Sequence, residues 1–221
     1  MRSPELEAAA TALAQTLPLM LVAPLDQQRA VYDALSTLAP PPDGTLVTEI
    51  DADGVHAEMV CAPGARNDVS VLHLHGGGYG IGSAAGYRGF AGRLSAACGA
   101  AVLVPDYRLA PEAPFPAALD DARCAYRWLL DGAGAPGKVA VSGDSAGGGL
   151  ALALLAGQVA GPGAPAGLVL WSPWADLAVA DDRGDGVEDP VLTVAWLQER
   201  AADYLQGHDP ADPAASPVNA R

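Results

Sequence analysis

The 221-residue chain is 50% hydrophobic yet carries 26 acidic residues against 12 basic ones, a formal charge of −14. That charge repels nucleic acid and anionic bilayers, so neither is an expected partner. No apolar run reaches the ~18 residues of a membrane helix, and Glu5 and Glu7 stand where a secretory signal is basic, so a cytoplasmic protein of one domain or one and a half is expected. The three cysteines, Cys61, Cys98 and Cys124, are odd in number and widely spaced. That usage fits buried free thiols of a reducing compartment, not a disulfide frame or a zinc site.

In chain order, Leu6, Ala10, Leu13 and Leu17 recur at helical spacing. Asp26 then reads as the N-cap of a second helix carrying Val31, Leu35 and Leu38. After the breaker Pro40-Pro41-Pro42-Asp43-Gly44, residues 45–50 and 55–61 read as an antiparallel hairpin. Strands are then predicted over 69–75, 101–105, 138–142 and 167–171, separated by helices near 88–98, 116–130 and 145–159. Such alternation specifies an α/β fold with a mostly parallel sheet and helices on both faces. The Ala-Gly-Pro-rich stretches 131–137 and 160–166 read as loops, and a last helix carries Val191, Val194, Ala195, Leu197 and Tyr204.

Chemistry is signalled at two strand ends. Gly143-Asp144-Ser145-Ala146-Gly147 lies between an apolar strand and a helix, the pattern of a nucleophile elbow whose sharp turn lifts a serine hydroxyl above the sheet. Another predicted strand, earlier in the chain, runs into His75-Gly76-Gly77-Gly78-Tyr79, where three glycines let backbone amides approach a developing oxyanion. The elbow's own contribution to such a hole is the amide of the residue after the nucleophile, Ala146.

These motifs, with Asp106-Tyr107-Arg108-Leu109-Ala110-Pro111-Glu112 and Pro114-Phe115-Pro116-Ala117-Ala118-Leu119-Asp120-Asp121, occur in the order and spacing of one family. The chain resembles a bacterial member of the hormone-sensitive-lipase family of α/β-hydrolases. The resemblance implies an α/β-hydrolase fold with a helical cap: residues 1–44 as a first cap segment, 45–175 as the core, 176–210 as a second cap segment and 211–221 as the start of a return to the core. It further implies a carboxylesterase or lipase acting on small or medium acyl esters without cofactor or metal. Ser145 would be the nucleophile and Gly77, Gly78 and Ala146 the oxyanion-hole amides, with His75 and Asp144 in support.

A serine nucleophile needs a base oriented by a third group, in the chain order serine, acid, histidine. Only His208 follows Ser145, in a polar helix-end turn where histidine reads as a solvated cap. His73 reads as a satisfied sheet residue and His56 as a surface residue of an early strand. No triad acid or histidine is therefore assigned, and the chain is expected to be the N-terminal portion of a longer hydrolase whose last strands are absent. A non-catalytic ligand-binding relative and an inert fragment are the alternatives. Asp106 and Arg108 read as a pair that fixes a loop. The acidic run 181–189, which lacks the spacing of a calcium loop, reads as a solvated cap loop.

Overall fold

The computed structural model describes residues 20–36, 38–133, 138–156, 163–179 and 192–220, with Ser3, Glu7, Thr11 and Asp189. The chain forms helix α1 (Leu25–Ser36), strands β1 (Leu46–Ala52), β2 (Val55–Cys61) and β3 (Arg66–Leu74), then α2 (Ala84–Cys98) and β4 (Ala100–Pro105). There follow α3 (Ala117–Ala133), β5 (Val139–Asp144), α4 (Ser145–Leu155), β6 (Leu168–Trp171) and α5 (Val194–Leu205). One six-stranded sheet has the order β1-β2-β4-β3-β5-β6. β1 and β2 form an antiparallel hairpin, β2 is antiparallel to β4, and β3 through β6 are mutually parallel.

Strand alternation sends successive side chains to opposite faces of this sheet. Leu72, Leu74, Leu103 and Val141 meet α3 and α4 through Leu119, Leu129, Leu150 and Leu154 on one face. Val60, Val71, Val102 and Val104 meet α2 through Ala84, Tyr87 and Ala91 on the other. The central strands are thus covered on both sides, as parallel strands require. Ser83 N-caps α2 by accepting from Gly86 N at 3.0 Å, and Gly99 ends it in the left-handed conformation.

Element types agree with the sequence reading, and boundaries move for local reasons. α2 starts at Ala84 instead of Arg88 because Ser83 caps it. α3 runs to Ala133, so part of the expected loop at 131–137 is helical. α1 begins at Leu25, which leaves Asp26 in its first turn instead of at the cap, and Leu38 lies beyond it and exposed. The expected helix through Leu6, Ala10, Leu13 and Leu17, Val191 and the acidic run 181–188 lie outside the described residues. Cys98 is exposed and Cys61 and Cys124 half-buried, correcting the expectation of buried thiols. Among the described residues, no helix is long and apolar enough to cross a membrane.

The segments before and after the sheet meet. Met20, Leu21, Ile81 and Trp196 form a small apolar cluster joined by Leu25, Leu35, Leu192 and Leu197. Gln28 on α1 accepts the Trp196 indole N–H at 3.0 Å and donates to Ala23 O at 2.8 Å. Tyr204 stacks on Tyr79 with ring centroids 3.8 Å apart. Neither amphipathic helix holds its own structure in water without such a partner. A double-mutant cycle on Gln28→Ala and Trp196→Phe is expected to return a coupling of about 0.5–1.5 kcal/mol in urea unfolding. Additive effects would mean that the two segments are not joined through this bond.

Candidate active site

The elbow follows from the junction of β5 and α4. β5 ends at Asp144 in extended conformation, and Ser145 opens α4 with φ of 52°, in the left-handed region that costs a non-glycine residue strain. The turn survives because α4 lies almost on top of β3. A Cβ at Gly147 would collide with Leu74 O and His75 O, so only glycine lets the helix come this close. The Ser145 carbonyl accepts from Trp174 N at 2.7 Å, while no described residue bonds its hydroxyl. Ala146, in the first turn of α4, carries one of the amides that a helix leaves without an internal partner.

β3 and β5 are parallel neighbours with Leu74 opposite Gly143. Two residues further along, Gly76 therefore faces the elbow, and its amide donates to Asp144 Oδ1 at 3.0 Å. The chain then turns back: Gly80 N and Ile81 N both donate to Gly77 O, at 3.1 and 3.0 Å. Gly77 has φ of 121° and a Cβ there would strike Ile81 O, so the turn admits no side chain. The amides of Gly77 and Gly78 have no hydrogen-bond partner among the described residues. Trp196 of α5 covers this turn, its ring edge 2.7 Å from where a Gly78 Cβ would stand.

Asp144 ties the two motifs together. Its Oδ2 accepts from the Tyr87 hydroxyl at 2.9 Å, and Tyr87 in turn accepts from Gly76 N at 3.0 Å. His73 Nε2 stands 3.4 Å from Asp144 Oδ1, while His73 Nδ1 meets Ser142 Oγ at 3.0 Å inside the sheet. Burial opposes ionisation of Asp144, but the neighbouring His73 and the Tyr87 hydroxyl outweigh it and hold the carboxyl below the usual range. Burial pushes the pKa of His75 down. His75 is enclosed, stacked on Tyr107 with centroids 4.2 Å apart, and its own carbonyl accepts from the Tyr107 hydroxyl at 2.7 Å.

Ser145, Gly77, Gly78, Ala146, His75 and Asp144 are thus gathered at one sheet edge. His56 and His208 are paired elsewhere. His56 Nδ1 meets Asp106 Oδ2 at 2.7 Å, His208 Nε2 meets Asp212 Oδ2 at 2.7 Å, and none of the four bonds Ser145. Asp106 and Arg108 each fix a loop, but not with one another as expected. Asp106 Oδ1 accepts from Ala84 N at 2.6 Å, and Arg108 forms a bidentate pair with Asp121 at 2.8–3.1 Å. Partners so far apart in sequence leave no local signature. Tyr87, Tyr107 and Trp196 went unassigned for the same reason, although Tyr107 sits inside a motif quoted above. Among the described residues, no cluster of histidine, cysteine or carboxylate groups is arranged to hold a metal ion.

The fold and this site define an α/β-hydrolase, and comparison with known proteins agrees. A family model described as the alpha/beta hydrolase fold matches residues 71–221. An acetyl-hydrolase of Streptomyces hygroscopicus is 43% identical over 202 residues, covering 88% of this chain and 66% of that protein. An esterase of Acinetobacter venetianus is 34% identical over 194 residues, covering 86% of this chain and 64% of its own length. The chain thus spans just under two thirds of the length of these curated relatives. A crystal structure of an esterase from the bacterial hormone-sensitive lipase family superposes with a TM-score of 0.90 at 38% identity, covering 100% of this chain and 75% of that one. The chain belongs to the α/β-hydrolases of the hormone-sensitive-lipase family.

Two outcomes follow from this geometry. Gly147→Ala is expected to lose at least about 1–3 kcal/mol in thermal unfolding, because backbone carbonyls cannot yield to the new methyl group. Asp144→Asn is expected to lose about 1–3 kcal/mol at neutral pH, the worth of hydrogen bonds to a charged group. A carboxyl whose pKa is depressed by folding contributes its stability above the unfolded value and loses it as pH falls through the folded one. The gap between the native chain and Asp144→Asn therefore closes below about pH 4. A gap independent of pH would mean that the charge of Asp144 does not hold the turn.

Proposed function

We propose that this protein is a serine ester hydrolase acting on small or medium acyl esters. Ser145 attacks the ester carbonyl, and the amides of Gly77, Gly78 and Ala146 receive the oxyanion. The tetrahedral intermediate collapses to an acyl-enzyme with release of the alcohol, and water then frees the acid. Asp144 and His75 act in support, by holding the turn against the elbow. The observation that carries this reading is the Gly76 N–Asp144 contact of 3.0 Å, which sets a turn with unpartnered amides beside a strained serine. The names of the relatives, acetyl-hydrolase and esterase, favour the same chemistry. We also assign the segments 1–44, with α1, and 176–210, with α5, to a cap over Ser145. The seat of Trp196 on the Gly78 turn supports that assignment.

A second reading has its own observation. No histidine of the chain is hydrogen-bonded to Ser145, so a ligand-binding role with the pocket kept and catalysis lost competes with the hydrolase. Removing triad function costs on the order of 10⁶-fold in turnover. The 221 residues by themselves are therefore expected to hydrolyse p-nitrophenyl acetate and butyrate little or not at all. Incubation with a fluorophosphonate at high concentration, followed by peptide mass spectrometry, is expected to find a single adduct on Ser145 and none in Ser145→Ala. An adduct on another residue would contradict the assignment. Rapid Ser145-dependent turnover that disappears in His208→Ala would show that His208 is the base after all.

A further inference from the structure

The turn that presents the Gly77 and Gly78 amides is held by a side chain from outside the hydrolase core. Arg29 of α1 donates from Nε to Gly80 O at 2.8 Å and from Nη2 to Ala110 O at 3.0 Å. The same guanidinium grips Glu112 bidentately, Nη1 to Oε1 at 2.8 Å and Nη2 to Oε2 at 2.7 Å. Ala110 N, for its part, donates to Tyr79 O at 2.8 Å, so both segments that Arg29 bonds are also bonded to each other. Among the described residues, no other side chain hydrogen-bonds the backbone of residues 77–81.

A planar guanidinium with this many bonds has its direction fixed, which a lysine ammonium does not. The Arg29 hydrogen bonds hold the Glu112 carboxyl down to about 2, and Glu112 raises the pKa of Arg29. α1 itself is also anchored by the Gln28–Trp196 bond of 3.0 Å. The N-terminal helix therefore grips the amide-bearing turn through Arg29 and the covering helix α5 through Gln28, one residue earlier.

We propose that Arg29 is a positioning residue. Its bidentate pair with Glu112 and its bond to Gly80 O fasten the Gly77–Ile81 turn to the N-terminal helix, so that docking of this helix sets the spacing of the oxyanion-hole amides from Ser145. The catalytic consequence rests on the hydrolase reading above, while the fastening of the turn does not. The role also accounts for Glu112, which is otherwise an exposed carboxylate at the end of a motif.

The test combines two readouts on the 221-residue protein and its Arg29→Ala, Arg29→Lys and Glu112→Gln variants. Hydrogen–deuterium exchange of the peptide over residues 76–82 is expected to rise tenfold or more in Arg29→Ala, less in Glu112→Gln, with β3, β4 and β5 unchanged. Arg29→Lys is expected to fall near Arg29→Ala, since one ammonium cannot reach all three acceptors. The maximal rate of fluorophosphonate labelling at Ser145 is expected to fall at least tenfold in Arg29→Ala, with the half-saturating concentration within threefold. Unchanged exchange in the turn overturns the proposal, and so does a rise spread over the whole sheet. A local rise with an unchanged labelling rate overturns the positioning role. If Ser145 of the unaltered protein takes up no label, the hydrolase reading falls, and the exchange of residues 76–82 still decides whether Arg29 holds the turn.

Discussion

The structure depends on how closely β3 and β5 run side by side, and on the carboxylate that joins their ends. Parallel pairing brings Leu74 opposite Gly143, so the two chains leave the sheet together. Asp144 then bonds the Gly76 amide directly and through Tyr87. Gly147 lets α4 settle against the same strand. Without those contacts the serine and the turn of free amides would be two loops with independent motions. With them, the proposed donors to a developing charge would need no rearrangement, which is where electrostatic stabilisation of a transition state gains its strength.

Around this joint the segments before and after the sheet come together. α1 and α5 share an apolar cluster and the Gln28–Trp196 bond, and α5 rests Trp196 and Arg200 on the glycine turn. Arg200 is almost fully buried and pairs through Nη2 with Glu199 and Asp203 at 2.5 and 2.8 Å. A buried guanidinium is costly unless paired; two carboxylates on its own helix meet Nη2, while Nε and Nη1 are buried without a hydrogen-bond partner among the described residues.

Much of this was legible in the sequence because its signals are local. Alternation of apolar strands with amphipathic helices gave the fold class, and the glycines of Gly143–Gly147 and Gly76–Gly78 marked backbone that a side chain would obstruct. Family resemblance then placed Ser145, Gly77, Gly78 and Ala146 in one site. The pairings were not legible, since nothing near Asp106 in sequence names His56 and Ala84 as its partners, and nothing near Arg108 names Asp121. Arg29 was missed for the same reason, its acceptors lying 51 to 83 residues away. Exposure also escaped the periodicity. Leu38 follows the helical spacing of Val31 and Leu35, yet the helix stops at Ser36 and leaves it in solvent.

The proposed acyl-transfer site joins Ser145 to the amides of Gly77, Gly78 and Ala146. Its most direct test is a crystal structure of the protein reacted with a fluorophosphonate. A phosphorus–oxygen bond to Ser145 Oγ is expected, with the phosphonyl oxygen about 2.7–3.1 Å from at least two of those three amides. A phosphonate bonded to Ser145 but turned away from the glycine turn, or bonded to a different residue, would contradict it.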